Sequence, residues 1–370
     1  MFKKSLLLAT AAAAAAASFA APVSAAEVKA AAYADLRYGF DYFNDRPTAN
    51  PTDTSFNNLG SYWGAKGSAE QGGIVAFGGY ERWLDSDGAV GIDLTRQAYA
   101  GVKTAFGTLQ FGTFGTAYME SGRKLDPFYA TGAAGTGDPA DPIGTGARFF
   151  GGQSHGMSAL AADAPTPIGG FVGGFVANQL AYTSPSIFGV TVNAGVAVDE
   201  NPGSSADDYM YGAEFSNWGI TAGVQVLDSN SGTNLGLAKR DDAYRLYGAY
   251  NQKRFGASVS AERIDFDAPG TPNADYLMAS GWYGVMEGTR VAASYGMVNE
   301  AADLNSGSSE EGTSFRLGLF YDVLDNFTTH LAYRNYNAKP SDAYGVSPDD
   351  QIVELGATFK FELSGSTNTH

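Results

Sequence analysis

The sequence contains no cysteine, and this absence excludes several kinds of site. A disulfide scaffold, a thiolate zinc centre and a cysteine nucleophile each need a residue that the 370-residue chain does not have. Basic residues are also few, with 23 Lys and Arg against 39 Asp and Glu and a net charge of −16. Nucleic acids are bound by fields of Lys and Arg, so no nucleic-acid partner is expected. The sequence predicts no metal site and no cofactor.

Long apolar runs are absent except at the N-terminus. Lys3 and Lys4 precede an alanine-rich run from Leu6 to Ala21, and small residues around Ala25 follow. This order is typical of a secretory signal, whereas a membrane anchor would be longer and would not close on a cleavage-type sequence. We therefore expect residues 1–25 to be a cleaved signal peptide. No later stretch reaches the roughly 20 apolar residues of a membrane helix, which leaves a soluble exported protein or a closed β-barrel.

Glycine and aromatic residues are abundant, with 48 Gly, 23 Phe and 21 Tyr, and this favours strands and turns. Residues 28–43 alternate between an apolar face and a face that carries Lys29, Asp35, Arg37 and Asp41. Residues 351–363 alternate in the same way, with Lys360 among the polar positions. A charged residue in the middle of a strand requires that this face of the sheet contact water. Alternation of this kind fits a soluble sheet and a membrane barrel equally well.

The number of strands and the lengths of their connections separate these two folds. Short turns and long loops rich in Asn, Asp, Ser, Pro and Gly follow one another along the whole chain. A transmembrane barrel has short periplasmic turns and long extracellular loops, whereas a soluble sandwich has no reason to sort its loops. The pattern predicts sixteen antiparallel strands, near 28–43, 58–69, 73–84, 95–105, 108–118, 175–184, 187–199, 207–216, 218–228, 242–252, 254–265, 274–286, 288–299, 313–324, 327–338 and 351–363.

The third long loop, residues 119–174, exceeds every other connection, and a segment of this length is usually functional or disordered. It can hang outside the barrel as a lid, or fold inward and narrow the channel. Opposing charges would then create a transverse field across the lumen. The candidate acidic residues of this loop are Glu120, Asp126, Asp138, Asp141 and Asp163. The candidate basic wall on inward strand faces consists of Arg37, Lys66, Arg96, Arg245, Arg290, Arg316 and Arg334.

Residues 95–118, TRQAYAGVKTAFGTLQFGTFGTAY, resemble the general porins of Gram-negative bacteria. The matching positions include Arg96, Tyr99, Gly101 and Gly107. The segments SYWGAKGSAEQGGIVAFGGYERW, NQLAYTSPSIFGV and LGATFKF are similar to the second hairpin, the strand after the constriction loop and the closing strand of that family. The resemblance implies a trimeric diffusion channel whose third loop folds into the lumen. It also implies that Arg96 faces the acidic residues of that loop.

Three features depart from the family pattern. Tyr62 stands where many general porins carry another wall arginine, which thins the basic cluster. The loop lacks the family's short Pro-Glu-Phe-Gly motif, so the resemblance assigns none of its carboxylates, Asp138 and Asp141 among them. Phe361 occupies the place of the family's terminal aromatic residue, and the chain continues past it. We expect a barrel over residues 26–363 and a C-terminal extension over residues 364–370.

The predicted function is passive diffusion of ions and small hydrophilic solutes through a water-filled channel of the cell outer membrane. Its predicted partners are outer-membrane lipid, lipopolysaccharide and two further copies of the chain. The acidic composition favours a weak preference for cations. A sugar- or anion-selective channel is the nearest alternative. A barrel enzyme is a weaker alternative, because the G-x-S-x-G string at residues 152–156, beside His155, lacks the strand-to-helix elbow that such a motif needs. An adhesin is also weaker, because its loops would be large, whereas most loops here are modest and acidic.

Overall fold

The computed structural model describes residues 26–44, 54–84, 95–129, 131, 175–198, 207–230, 242–265, 273–302, 309–338 and 349–369. Within these residues the chain forms seventeen strand segments and one helix. In chain order they are β1 (Ala26–Asn44), β2 (Thr54–Asn58), β3 (Tyr62–Gln71), β4 (Ile74–Trp83), β5 (Thr95–Thr104), β6 (Gly107–Gly115), α1 (Ala117–Leu125), β7 (Phe175–Thr183), β8 (Val190–Ala197), β9 (Asp208–Asn217), β10 (Ile220–Asp228), β11 (Asp242–Asn251), β12 (Phe255–Asp265), β13 (Ala274–Met286), β14 (Thr289–Ala302), β15 (Ser309–Leu324), β16 (Phe327–Ala338) and β17 (Asp349–Thr369).

The strands form one antiparallel sheet that closes on itself. Each strand pairs with its neighbours in sequence, and β17 pairs with β1 from Ala26 opposite Thr369 to Asn44 opposite Gln351. Closure leaves no sheet edge, so every strand exchanges backbone hydrogen bonds on both sides. This is the all-β barrel that the strand pattern predicts.

The second barrel strand consists of the two segments β2 and β3. Both pair with β1, β2 over Tyr38–Tyr42 and β3 over Glu27–Asp35. Residues 59–61 interrupt it, and Gly60 has a φ of 81°, which a side chain rarely adopts. The Oγ of Ser61 accepts the backbone N–H of Arg37 at 2.8 Å and bridges the gap. The barrel therefore has the sixteen strands expected from the sequence.

The barrel is apolar outside and charged inside. Leu246, Leu331 and Leu355 point outward and are between 50% and 66% exposed. Arg245, Arg316 and Glu354 point inward and are at most 1% exposed. A soluble sheet protein has the opposite arrangement, so this distribution is that of a barrel whose outer surface faces lipid.

Tight turns join the strands at the rim that carries both ends of the described chain. Gly72 and Gly73 have φ values of 58° and 79°, and Trp218 and Gly219 have 52° and 80°. Two consecutive positive φ values give the type I′ turn whose twist matches paired strands. Exposed aromatic side chains lie beside these turns, among them Phe106, Phe188 and Trp218. Such a ring of aromatic residues marks the membrane interface of a transmembrane barrel.

Two elements differ from the sequence prediction. The strand predicted over 108–118 ends at Gly115, and α1 follows at the start of the third loop. No helix in the described ranges is both long and apolar enough to cross a membrane. The last strand does not end at residue 363, since β17 continues to Thr369 beside Ala26–Ala31 of β1. Backbone pairing needs no apolar side chains, so the polar sequence of residues 364–369 concealed this continuation.

Deletion of residues 364–370 tests the contribution of this continuation. The deletion removes the β17 partners of residues 26–31, while residues 27–31 keep their pairing with β3 on the other side. We therefore expect a folded barrel whose unfolding temperature, measured by the heat-dependent mobility shift in SDS gels, is lower than that of the intact chain. Deletion of His370 alone is the control and leaves the temperature unchanged. Equal temperatures for both deletions would contradict a stabilising role for the pairing.

Candidate functional site

The first part of the third loop lies inside the barrel, and residues 116–129 are called the lumen segment below. Thr116 caps the N-terminus of α1, and its side chain accepts the backbone N–H of Met119 at 3.1 Å. Glu120 lies in the first turn of the helix, and Arg123 and Lys124 lie in the last, the distribution that the helix dipole favours. The cap and the charges hold nine residues in a helix that is too short to be stable alone.

Arg245 of β11 fastens α1 to the barrel wall. Its Nη1 donates to the carbonyl oxygen of Tyr118 at 2.5 Å and to Ser121 Oγ at 3.0 Å. Its Nε and Nη2 donate to Glu262 Oε2 at 3.0 and 2.5 Å. The guanidinium carbon also lies 4.1 Å from the ring centroid of Tyr118. Burial raises the pKa of Tyr118 well above its usual value, so this phenol stays neutral beneath the guanidinium group.

A second attachment lies at the end of the helix. Arg316 Nη1 donates to Asp126 Oδ2 at 3.0 Å, and both side chains are fully buried. The carbonyl oxygen of Leu125, which has no partner inside the helix, accepts the hydroxyl groups of Ser258 and Ser280 at 2.7 and 2.6 Å. The helix end therefore finds partners on three strands, β12, β13 and β15. Ser294 of β14 accepts the Nε of Arg316 at 2.7 Å.

Apolar packing continues the second attachment. Phe128 is fully buried in a cluster with Ala292, Phe320 and Ala332 on the inner wall. The Phe128 and Phe320 rings have centroids 5.8 Å apart. A Cβ at Gly318 would lie 2.7 Å from the Phe128 ring, so the wall needs a glycine at this position to admit the ring. The lumen segment is thus bound by ion pairs, hydrogen bonds and packing together.

Arginine and aromatic side chains alternate where the lumen segment meets the other side of the wall. The guanidinium carbon of Arg96 lies 3.9 Å from the ring centroid of Tyr62 and 4.4 Å from that of Phe175. That of Arg123, from α1, lies 5.0 Å from the Phe175 centroid and 4.9 Å from that of Tyr129. The rings separate cations that would otherwise repel each other.

A β-bulge explains how Arg96 reaches the lumen. Gln97 pairs with Glu81 and Thr95 pairs with Arg82, so Arg96 is the extra residue of its strand. A bulge lets two successive side chains share a face. Arg96 forms an ion pair with Glu81, and Gln97 Nε2 donates to the same Glu81 oxygen at 2.6 Å.

Carboxylates accompany most of the predicted basic wall. Arg37 Nη2 lies 2.6 Å from Asp35 Oδ2, and Lys66 Nζ lies 2.7 Å from Glu362 Oε2. Arg334 is buried directly opposite Arg316 on the inner face. Arg290 lies near the short-turn rim on the same face, with its guanidinium carbon 4.7 Å from the Phe320 centroid. All seven predicted basic residues belong to inward faces, but they do not form one uniform positive surface.

The predicted acidic residues of the loop divide into two groups. Asp126 touches Arg316 directly, without the aqueous gap that the transverse-field hypothesis assumed. Glu120 is half-exposed and accepts Nη1 of Arg123 at 2.5 Å, within its own helix. Asp138, Asp141 and Asp163 lie outside the described residues, as do the G-x-S-x-G string and His155.

Sequence reasoning missed the wall carboxylates Glu81, Glu262 and Asp35, which neutralise three of the arginines. Register provides the signal in one case, because Arg245 pairs with Glu262 across β11 and β12. His330 is buried on the inner face, and its Nε2 lies 2.6 Å from Glu354 Oε1. In the described part of the chain, no three acidic or histidine side chains come together in a way that could hold a metal ion.

The chain matches the family model of the Gram-negative porins over residues 9–367. A comparison with curated protein sequences finds no match. Among solved structures, it is similar to an anion-selective porin from Comamonas acidovorans, with a TM-score of 0.67 and 16% identity over 91% of this chain and 99% of that one. It is also similar to the in-vitro folded trimer form of OmpT, an outer membrane protein of Vibrio cholerae (TM-score 0.60, 19% identity, 91% and 100% covered). A third similar structure is Salmonella typhi OmpF in complex with daunomycin (TM-score 0.63, 15% identity, 89% and 97% covered).

Substitution of Arg316 tests the attachment of the lumen segment. Arg316→Met leaves Asp126 buried without its cation, which costs about 3–5 kcal/mol. We expect faster amide hydrogen exchange in α1 while the barrel strands stay protected. The double variant Arg316→Met/Asp126→Leu removes both charges and restores slow exchange.

Arg263→Met is the matched control, because the ion pairs of Arg263 with Asp265 and Asp275 are exposed and contribute about 0–1 kcal/mol. We expect no change of exchange in α1 for this variant. Equal exchange rates in the Arg316 and Arg263 variants would show that the buried pair does not hold the segment.

Proposed function

Since the chain belongs to the Gram-negative porin family and forms an outer-membrane porin channel, we propose that ions and small hydrophilic solutes cross it by passive diffusion. The observation that carries this proposal is the inverted barrel, with leucine side chains outside and ionised side chains inside. Some ion pairs on the inner face are about half-exposed, such as Lys66 with Glu362, and these require water in the lumen. The lumen segment narrows this aqueous path without filling it, because a cavity of about 370 Å³ remains between α1 and strands β5 to β10.

We further propose that the third loop, residues 119–174, acts as the constriction of this channel. Its described part is fixed to the wall at Arg245 and Arg316. A segment attached at two points in this way sets the cross-section of the lumen through its position. Arg245 and Arg316 therefore act on permeation indirectly, because they hold the segment in position.

We propose a weak preference for cations. The wall arginines contribute little net charge to the lumen, because Arg37, Arg245 and Arg316 each have a carboxylate within 3.0 Å. The net charge of −16 then sets the potential at the mouth of the channel. Anion selectivity is a property of the Comamonas acidovorans porin, which shares only 16% of its residues with this chain and supports the fold alone.

We propose that the functional unit is a homotrimer. The trimer form of Vibrio cholerae OmpT supports this assembly at the level of the fold. The outer face of β1 and β3 also carries small residues, with Ala30, Ala32, Ala65 and Gly67 at successive outward positions. Flat faces of this kind allow close packing between barrels. Lipid and lipopolysaccharide would surround the remaining outer surface after export and removal of residues 1–25.

Glu120→Gln tests the ion preference at a half-exposed carboxylate that lines the cavity. In a planar bilayer with a KCl gradient, we expect the intact channel to favour K⁺ and the variant to favour it less. The permeability ratio should fall by up to about fivefold, the factor that about 1 kcal/mol represents for a charge at 4 Å in water. The difference should shrink at high salt because ions screen it.

Glu70→Gln is the control, since Glu70 lies at the short-turn rim, outside the narrow part of the lumen. This variant should keep the ratio of the intact channel. A preference of the intact channel for Cl⁻ at low salt would contradict the proposed selectivity.

A further inference from the structure

An amide-rich chamber lies between α1 and strands β5 to β10. Its volume is about 370 Å³, within the size range of small-molecule sites. Four glutamines on four different strands line it, namely Gln97, Gln110, Gln179 and Gln225, together with Asn193 of β8. The opposite side of the lumen carries the ion pairs that hold the lumen segment. Ion pairs also occur beside the chamber, such as Lys124 with Glu214 of β9, but the residues that line the chamber itself include only one charged side chain, Glu120.

The surrounding contacts fix part of this lining and leave part of it open. Gln97 donates to Glu81 at 2.6 Å, and Gln179 donates to the carbonyl oxygen of Phe114 at 3.1 Å. Gln179 and Gln225 are both 3% exposed, so packing holds them in place. Gln110 and Asn193 are half-buried and face the cavity. Their carboxamides offer both donors and acceptors to whatever occupies the chamber.

The charges near the chamber are already paired. Glu120 lines it, but Arg123 donates to this carboxylate at 2.5 Å. Arg96, behind Gln97, forms its ion pair with Glu81. An ion that left water for this chamber would lose hydration without meeting an uncommitted opposite charge among the described lining residues. A neutral solute would instead exchange its water contacts for contacts with carboxamides.

The aromatic rings of Phe114 and Tyr118 line part of the same chamber. A site with a few convergent polar groups and an apolar surface suits a solute with both hydroxyl groups and C–H faces. We propose that the chamber is a binding subsite for small uncharged solutes that carry several hydroxyl groups. This inference rests on the proposed diffusion channel and adds a class of solute that pauses within it.

Current noise with glucose as the probe tests this subsite. Glucose that enters and leaves the chamber interrupts the K⁺ current, so the intact channel should show excess noise that saturates with glucose concentration. Gln110→Leu removes one donor and one acceptor from the chamber and keeps the size of the side chain. We expect the half-saturating glucose concentration to rise about two- to tenfold, which corresponds to the loss of one hydrogen bond. Gln110→Asn keeps a shorter carboxamide and should therefore raise the half-saturating glucose concentration less than Gln110→Leu does.

Ser68→Ala is the matched control, because Ser68 lies on the inward face of β3, away from the chamber. It should leave both the conductance and the glucose noise unchanged. Normal conductance without saturable glucose noise would overturn the subsite and leave the diffusion channel intact. Absence of conductance from folded protein would instead overturn the channel itself.

Discussion

Closure of the sheet by β1 and β17 is the constraint on which the rest of the structure depends. In lipid every backbone N–H and C=O group must find a partner within the protein, and a closed barrel satisfies all of them along the strands. Closure also assigns alternate side chains to lipid and to the lumen. Leu331 and Leu355 consequently face outward. Arg334, three residues from Leu331, and Glu354, one residue from Leu355, are enclosed in the barrel. The charged interior and its need for compensation follow from this geometry.

The enclosed charges explain how a loop is held inside the barrel. A buried arginine without a counter-charge is costly, and each wall carboxylate neutralises one. Arg316 obtains its counter-charge from Asp126 of the lumen segment, and Arg245 uses its remaining donors for the carbonyl oxygen of Tyr118 and the hydroxyl group of Ser121. The lumen segment therefore supplies the counter-charge and hydrogen-bond acceptors that the wall arginines need, and these contacts hold the segment in place. If the lumen segment is the constriction, as proposed above, these buried pairs set its position.

Sequence patterns predicted the barrel well because the strands carry a period-two signal and most short turns contain a glycine. The basic residues of the predicted wall occur on inward strand faces, and Asp126, one of several candidate acids, contacts Arg316; whether they line the pore stays a prediction. The patterns did not predict α1, since nine residues give a weak helical signal, although Thr116 and the order of Glu120 and Arg123 indicate a capped helix in retrospect. The bulge at Arg96 and the continuation of β17 depend on backbone pairing, which side-chain periodicity does not report. The partner Glu81 became evident only once the contacts between strands were known, whereas Asp35 lies two residues from Arg37 on the same face of β1 and could have been paired with it from the sequence.

Single-channel recording from protein purified from outer membranes tests the central claim most directly. The account predicts conductance that arises in groups of three equal steps and is linear with voltage. Neutral polymers small enough to pass the lumen segment should lower each step, whereas larger ones should leave it unchanged. A folded, heat-resistant barrel that gives no conductance, or one that admits every polymer regardless of size, would contradict a water-filled channel narrowed by a segment attached to its wall.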